Sequence, residues 1–294
     1  MSDSQAQARC GISGWRYAPW RKSFYPAGLP QRLELEYAAS QLDTIEINGT
    51  FYSLQHRDSF LRWRDTVPDG FRFSVKGPRY ITHMLGLRNA ETALANFFAS
   101  GVLALGEKLG PVLWQLPATR RFDPELLDTF FSQLPRTTTA AASLARGHDE
   151  RLKDRDWVTT DADRPIHHVL EPRHESFDTA ECYEILRRHG VGLVVADSAD
   201  KWPQFREVTG DVVYVRLHGS TELYTSGYTD TELDEWATLC EGWLSGRACP
   251  DGRGRDAYVY FDNDVKVHAP FNAIGLAQRL RGCEAQNDDG AAPS

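Results

Sequence analysis

The sequence predicts an α/β fold, a single TIM-like (β/α)8 barrel. Eight short apolar runs are separated by stretches with helical periodicity, the pattern of parallel strands joined by crossover helices. The clearest run, from Val212 to Gly219, has apolar residues on one face and Tyr214, Arg216 and His218 on the other. An apolar outer face and a polar inner face suit a closed parallel barrel, which helices cover outside and whose strands end at a polar mouth. Since no Gly-x-Gly-x-x-Gly follows the first run, an open dinucleotide-binding sheet is disfavoured.

The elements alternate along the chain. The predicted strands are Arg9 to Ser13, Thr44 to Asn48, Phe71 to Lys76, Pro111 to Leu116, His168 to Arg173, Gly192 to Asp197, Val212 to Gly219 and Ala257 to Asn263. The predicted helices are Leu33 to Leu42, Asp58 to Thr66, Ala90 to Leu109, Pro124 to Leu134, Ala180 to His189, Thr231 to Leu244 and Pro270 to Arg281. The spacer from Ala199 to Thr209 is short and contains proline, so we expect no helix in the sixth crossover.

Two polar stretches predict loops on the barrel's bottom face. Thr137 to Arg164 indicates a long insertion between the fourth helix and the fifth strand, and Gly246 to Arg255 indicates a second loop. The predicted barrel occupies residues 8–282 as a single domain, with disordered tails at residues 1–7 and 283–294.

Composition narrows the function classes. The chain of 294 residues has 33 Lys and Arg against 41 Asp and Glu, a net charge of −8, so broad attraction to nucleic acid or anionic lipid is not expected. No apolar stretch approaches the roughly 18 residues that cross a bilayer, and the first nine residues lack a signal-type segment. We therefore expect a cytoplasmic protein without membrane association. The five cysteines are scattered without a Cys-x-x-Cys pair, which argues against a disulfide framework and a structural zinc site.

Polar residues recur near the carboxyl ends of the predicted strands. Because those ends meet at one mouth of a barrel, we expect the side chains to gather in a single cavity. The set comprises Ser13, Glu46, Asn48, Ser74, Lys76, Gln115, Glu171, Arg173, Asp197, Arg216, His218, Tyr260 and Asp262. Barrel interiors also hold structural ion pairs, so Glu46, Ser74 and Arg216, one layer deeper, are expected to support rather than react.

The cationic residues of this set suggest an anion clamp. Lys76, Arg173 and Arg216 could hold a carboxylate or phosphate, since a guanidinium offers paired planar donors. The alternative is Glu–Arg pairing across the lumen, and the sequence favours neither interpretation.

Three residues are candidate proton carriers. His218 lies where the seventh loop begins, a position suited to acid–base chemistry in a barrel. Glu171 and Asp197 are the other candidates. The predicted ligand contacts are Lys76, Arg173, Arg216, Asn48, Gln115, Asn263 and His83, with partly exposed rings at Trp15, Tyr52 and Tyr224.

A metal site is the competing interpretation of the mouth. Hard ligands could converge there: Glu46, Glu171, Asp197, His218 and Asp262. The nearby cations Lys76, Arg173 and Arg216 would repel a dication, and no closely spaced ligand motif is present. We therefore expect neither a metal nor a cofactor.

Several motifs together resemble the YecE-like proteins, the domain-of-unknown-function family 72. They are Gly11-Ile12-Ser13-Gly14-Trp15 with Tyr17, Glu46-Ile47-Asn48 followed by Thr50-Phe51-Tyr52, Thr82-His83, Gln115-Leu116-Pro117, Glu171 with Arg173, Tyr214 to Gly219, and Phe261 with Asn263. The chain departs from the family pattern at Gln55, where proline is usual, and at Phe177, where tryptophan is common. The resemblance implies a TIM-like barrel and supplies no reaction.

The leading functional hypothesis is acid–base chemistry on a small, oxygen-rich anionic ligand, such as a sugar or a phosphate ester, in the pocket at the barrel mouth. One alternative is a metal-assisted phosphodiesterase that processes nucleic acid, resembling repair endonucleases of similar fold. Another is a non-catalytic ligand-binding module, because this architecture hosts many functions. The sequence leaves the reaction type and the oligomeric state open.

Overall fold

Eight parallel strands close into a barrel in sequence order, which confirms the predicted fold class. The computed structural model describes residues 5–289, with side chains described through residue 282. The strands are β1 (Ala8–Ser13), β2 (Thr44–Ile47), β3 (Arg72–Lys76), β4 (Leu109–Gln115), β5 (His168–Glu171), β6 (Val191–Asp197), β7 (Val212–Leu217) and β8 (Asp256–Phe261). Each bound lies within two residues of the predicted one. β8 pairs in parallel with β1, so the sheet has no free edge.

Helices surround the barrel. Within the described residues the α-helices are α1 (Glu34–Gln41), α2 (Gly49–Tyr52), α3 (Arg57–Thr66), α4 (Glu91–Ala99), α5 (Pro124–Ser132), α6 (Thr138–Ala145), α7 (Ala180–Arg188), α8 (Asp230–Leu244) and α9 (His268–Asp289). The segment from Ala199 to Thr209 contains no helix, as predicted. The chain between residues 5 and 289 includes no helix that is both long and apolar enough to cross a membrane.

The predicted helix from Ala90 to Leu109 is wrong, because the chain breaks in the middle. Gly101 has a φ of +124°, which ends the α-helical path after α4. The chain then continues as the 3₁₀ segment Val102–Lys108. A left-handed residue of this kind is the usual device for stopping a helix.

The long insertion is folded. Thr137 caps α6 by accepting a hydrogen bond from the Ala140 N–H, and α6 packs against α4. Further along, the Trp157 N–H donates to the Ala99 carbonyl at 2.7 Å. The insertion is therefore part of the helical layer.

The structure describes part of each predicted tail. α9 extends through Asp289. At the other end, the Gln7 N–H donates to the Asp256 carboxylate at 2.8 Å. Residues 1–4 and 290–294 lie outside the described part of the chain.

Two apolar layers position the site. The larger layer lies between the strands and the helices, and the smaller one fills the lumen. The lumen layer consists of Leu113, Val169, Val194, Ala196, Val212, Tyr214, Tyr258 and Tyr260. The charged residues of the mouth lie on top of this layer, at the carboxyl ends of the strands.

Candidate functional site

The Arg216 guanidinium is the hub of the mouth. It comes from β7, is 1% exposed, and donates to Glu46 of β2, Glu171 of β5 and Asp262 after β8 at distances of 2.9 to 3.1 Å. It also donates to the Ser13 hydroxyl at 3.3 Å. Although burial disfavours the charge, these three carboxylates raise the pKa of Arg216 well above its ordinary value. The guanidinium therefore links β7 to β1, β2, β5 and the end of β8.

Glu171 connects Arg216 to Arg173, which lies at the outer edge, or rim, of the mouth. Its Oε2 accepts from Arg216 at 2.9 Å, and its Oε1 accepts from the Arg173 Nε at 2.9 Å. Burial alone would raise the pKa of Glu171, but Arg173 and Arg216 hold it well below its ordinary value. Glu171 is thus a permanent carboxylate that fixes two guanidinium groups.

Arg173 reaches the rim of the mouth. Its guanidinium carbon lies 3.7 Å from the centre of the Trp202 ring, which covers one face of the group. Its Nη1 has no hydrogen-bond partner within the described residues. Arg173 therefore keeps donors available at the rim.

His218 is sealed beneath the rim. Its ring is 0% exposed, and its Nδ1 lies 3.0 Å from the Asp262 carboxylate. Its Nε2 lies 3.4 Å from the Arg216 Nη1. The rings of Trp202 and Tyr224 meet the imidazole edge-on, with centroids 6.0 Å and 5.3 Å away.

Lys76, at the end of β3, has a different environment. It is 8% exposed, and its ammonium has neither an ion-pair nor a hydrogen-bond partner in the part of the chain that the structure describes. Its Nζ lies 4.4 Å from the centre of the Phe51 ring. Burial lowers the pKa of Lys76 to about 8, and the charge of Arg216 acts in the same direction.

Neutral polar groups complete this side of the mouth. The Gln115 amide, at the end of β4, makes no hydrogen bond with any described side chain or backbone group. The buried Oδ1 of Asn48 also has no partner within residues 5–282. His83 is exposed on the π-helical turn Tyr80–Met84, where burial and the charges of Lys76 and Arg173 lower its pKa. The imidazole is therefore neutral near pH 7 and available to accept a proton.

A second carboxyl group lies below the rim. Asp264 is 9% exposed, and burial together with the neighbouring charge of Asp262 raises its pKa well above the ordinary value. Asp262 has the opposite environment: burial disfavours its charge, but Arg216 and His218 hold its pKa below the ordinary value. The two neighbouring carboxyl groups thus have pKa values shifted in opposite directions.

Comparisons with known proteins agree with this architecture. Residues 9–293 match the family described as "Protein of unknown function DUF72". The chain belongs to the DUF72 family. It is 28% identical over 187 residues to the UPF0759 protein YecE of Escherichia coli (strain K12), a match that covers 58% of this chain and 64% of YecE. The family resemblance of the sequence motifs is therefore confirmed.

Solved DUF72 structures share the fold. A DUF72 family protein from Thermotoga maritima superposes with a TM-score of 0.73 at 24% identity, covering 94% of this chain and 99% of that one. Another, from Enterococcus faecalis V583, has a TM-score of 0.68 at 18% identity, covering 94% and 96% of the two chains. At these identities the likeness shows the barrel architecture alone.

Several site predictions for this DUF72 chain need correction. Arg216 was placed in the ligand clamp, but its N–H groups are occupied by protein acceptors. Glu171 was proposed as a proton carrier, but both of its oxygens are bound by arginines. Asn263 was proposed as a ligand contact, but it is 0% exposed and donates to Ser226 and Asn272, which connects the loop after β7 to α9.

Asp197 does not face the lumen. Val194 and Ala196 of β6 face the lumen. Because side chains alternate along a strand, Asp197 points to the same side as Leu193 and Val195, which lie in the layer beneath the helices. Its carboxylate accepts from the Tyr228 hydroxyl at 2.9 Å, and burial raises its pKa.

The three predicted aromatic contacts differ in exposure. Trp15 is 8% exposed and packs edge-on against Trp63, so the expectation of partial exposure is wrong. Tyr52 is 70% exposed beside Arg79, and Tyr224 is half-buried over His218.

Sequence reasoning missed Trp202 and Asp264. Trp202 lies in the helix-free segment after β6, where its N–H donates to the Ser198 hydroxyl at 3.0 Å. The Asp-Asn-Asp run at the end of β8 was a signal for Asp264, since its first and third residues share a face. No comparable signal marked Trp202. Across the described residues, no three His, Cys, Asp or Glu side chains are arranged to hold a metal ion.

Proposed function

We propose that the mouth of this barrel binds a small, oxygen-rich anionic ligand, such as a sugar phosphate or another phosphate ester, and acts on it by acid–base chemistry. The observation that carries the proposal is Lys76: its buried ammonium has no protein partner within the described residues. A buried charge that contacts no counterion is costly, and a bound anion would supply a direct partner.

Arg173 supports the same proposal from the end of β5, which is separated from β3 by one strand. Glu171 and Trp202 hold its guanidinium in place, which leaves the Nη1 edge as a preorganised donor for a phosphate or carboxylate. The charges of Lys76 and Arg173 both act on His83, so the three groups belong to one neighbourhood. Gln115 and Asn48 add neutral donors and acceptors for hydroxyl groups.

The proton carriers of this proposal are Lys76 and His83. Lys76 has a pKa of about 8, which lets it exchange a proton near neutral pH, and the lowered pKa of His83 keeps its imidazole neutral and able to act as a base. Glu171, Arg216 and His218 act as positioning residues beneath them. Tyr52 and Tyr224 form the outer wall against which the ligand lies.

Titration calorimetry with inorganic phosphate and ribose 5-phosphate tests the binding step. Lys76→Gln and Arg173→Gln should each weaken binding by roughly tenfold or more, the effect of losing a charge-assisted hydrogen bond. The matched control is Lys201→Gln, which removes one positive charge from the exposed loop before Trp202. Equal affinities for the wild type and both mouth variants would refute the anion site.

One observation favours a non-catalytic ligand-binding module as a second candidate. His218 and Glu171 are both 0% exposed and contact other protein groups, Asp262 for His218 and two arginines for Glu171, so neither is free to touch a ligand at the mouth. In that case the Lys76 and Arg173 variants would change affinity, and the bound ester would be recovered chemically unaltered. Conversion of a bound sugar phosphate, monitored by the exchange of its protons with deuterated water, would support the enzyme.

A further inference from the structure

Lys76 has the environment of an amine nucleophile rather than that of a structural cation. Two of the six lysines of the chain, Lys76 and Lys108, are more than nine-tenths buried. Lys108 donates to the carbonyls of Arg64 and Val67 at 2.8 and 2.7 Å, which fixes its ammonium. Lys76 makes no such bond within the described residues, so its amine is not tied to the protein.

Burial and the charge of Arg216 favour the neutral amine of Lys76, and together they outweigh the Phe51 ring face and the carboxylates of Glu46, Glu171 and Asp262, which favour the ammonium. The Phe51 ring lies 4.4 Å from the Nζ, and the nearby guanidinium of Arg216 repels a second positive charge. An amine that is poorly hydrated and adjacent to another cation loses its proton more readily, and this is the usual means of activating a lysine. The backbone beneath it is fixed, since the Thr50 hydroxyl donates to the Lys76 carbonyl at 2.6 Å.

We propose that Lys76 forms an imine with the carbonyl carbon of an aldehyde or ketone that carries an anionic group, which Arg173 holds. This inference rests on the proposed function, because it places the carbonyl compound in the same mouth. It names the substrate class more narrowly: an open-chain sugar phosphate or an oxoacid, with the carbonyl at Lys76 and the anion at the Nη1 edge of Arg173.

The step balances without a cofactor. The ammonium first releases its proton to water. The nitrogen lone pair then attacks the carbonyl carbon while the C=O π electrons move to oxygen, and one proton passes from the nitrogen to that oxygen to give a carbinolamine. Its hydroxyl group takes up the proton that the ammonium released and leaves as water. The nitrogen lone pair forms the C=N bond, so the imine is cationic. Imine formation is reversible, and the resulting cationic imine withdraws electrons from the neighbouring carbon.

The lowered basicity supplies the reactive form at physiological pH. With a pKa of about 8 instead of the ordinary 10.5, Lys76 has a roughly 300-fold larger fraction of free amine near neutral pH than a solvated lysine. The exposed residues Lys22, Lys153, Lys201 and Lys266 provide internal references in the same molecule.

Reductive trapping tests the inference. The intact protein is incubated with glycolaldehyde phosphate and sodium cyanoborohydride at pH 7, and the adduct is mapped by peptide mass spectrometry. We expect at least about tenfold more adduct on Lys76 than on Lys108 or any exposed lysine. The yield should rise with a midpoint near pH 8. Even labelling of all lysines, or labelling that excludes Lys76, overturns the proposal.

Phosphate binding by the wild type separates this inference from the proposed function, because binding needs no imine. In Lys76→Arg the guanidinium forms no reducible imine, so trapping at the mouth should be lost. Lys76→Gln serves as a second variant, and circular dichroism verifies that each variant is folded. If the wild type binds phosphate but yields no Lys76 adduct, the imine fails and the anion site stands. If it binds neither probe, both proposals fail.

Discussion

Residues of one type have different roles in this barrel, and their partners decide which role. Lys76 and Lys108 are equally buried, at 8% and 7% exposure. Two backbone carbonyls satisfy the Lys108 ammonium, whereas an aromatic face is the nearest support of Lys76. The difference marks Lys108 as structural and is the reason why we propose a ligand-binding role for Lys76, because a satisfied buried cation stabilises the fold and an unsatisfied one does not.

This contrast predicts a pH-dependent effect of Lys76→Met on stability. Burial lowers the pKa of Lys76 from 10.5 to about 8, so the unfolded chain binds more protons than the folded chain between these values, and wild-type stability rises with pH there. Below pH 8 the folded state carries an unfavourable charge, on the order of 3 kcal/mol. Lys76→Met should therefore be more stable than the wild type at pH 7, and the advantage should shrink by pH 10.5.

Urea unfolding of the two proteins at pH 7 and pH 10.5 measures this difference. Lys108→Met is the matched control, because it leaves two buried carbonyls without a donor and should destabilise the protein at both pH values. A Lys76→Met effect that is independent of pH would contradict the account of the buried amine.

At the scale of elements, the clarity of each strand's alternation decided how well the sequence predicted the site. β7 alternates strictly, so the inward positions of Arg216 and His218 were predicted correctly. β6 is a continuous apolar run that is buried on both faces, so the sequence does not show which of its residues face the lumen. Asp197 was therefore assigned to the wrong face.

Pairing within the lumen was beyond sequence reasoning for another reason. The residue types at the mouth were predictable, but which carboxylate satisfies which guanidinium depends on register and distance across the barrel. Arg216 meets carboxylates from three other strand ends, and that arrangement converts a predicted ligand contact into an internal support. Trp202 depends likewise on the path of an irregular segment.

The end of α4 at Gly101 leads to a prediction about stability. A Cβ added at Gly101 would lie 2.6 Å from the Arg57 Cα and 2.8 Å from the Phe60 ring, at a φ of +124°. Gly101→Ala should therefore destabilise the protein by roughly 3 kcal/mol, combining backbone strain with overpacking. Gly70→Ala is the matched control, since Gly70 also has a positive φ but open space around its Cα, and its loss should be about 1 kcal/mol.

Thermal melts of both glycine variants provide the comparison. If both variants lose the same stability, backbone strain alone explains why glycine is needed at position 101, and the contact between α3 and the turn after α4 does not contribute.

At the scale of the whole molecule, the charge distribution separates the mouth from the surface. The chain has a net charge of −8, yet Lys76 and Arg173 reach the mouth without a full set of protein partners. Under the proposed function, an acidic surface around a small cationic site would favour small anions over polyanions, because that surface would repel a nucleic acid. The molecule as a whole therefore favours a small ligand over the nucleic-acid alternative.

A crystal soaked in selenate and measured at the selenium absorption edge tests the anion site most directly. We expect an anomalous peak at the barrel mouth, within hydrogen-bond distance of both the Lys76 Nζ and the Arg173 Nη1. Selenate peaks confined to the outer surface, with none between these two side chains, would contradict it.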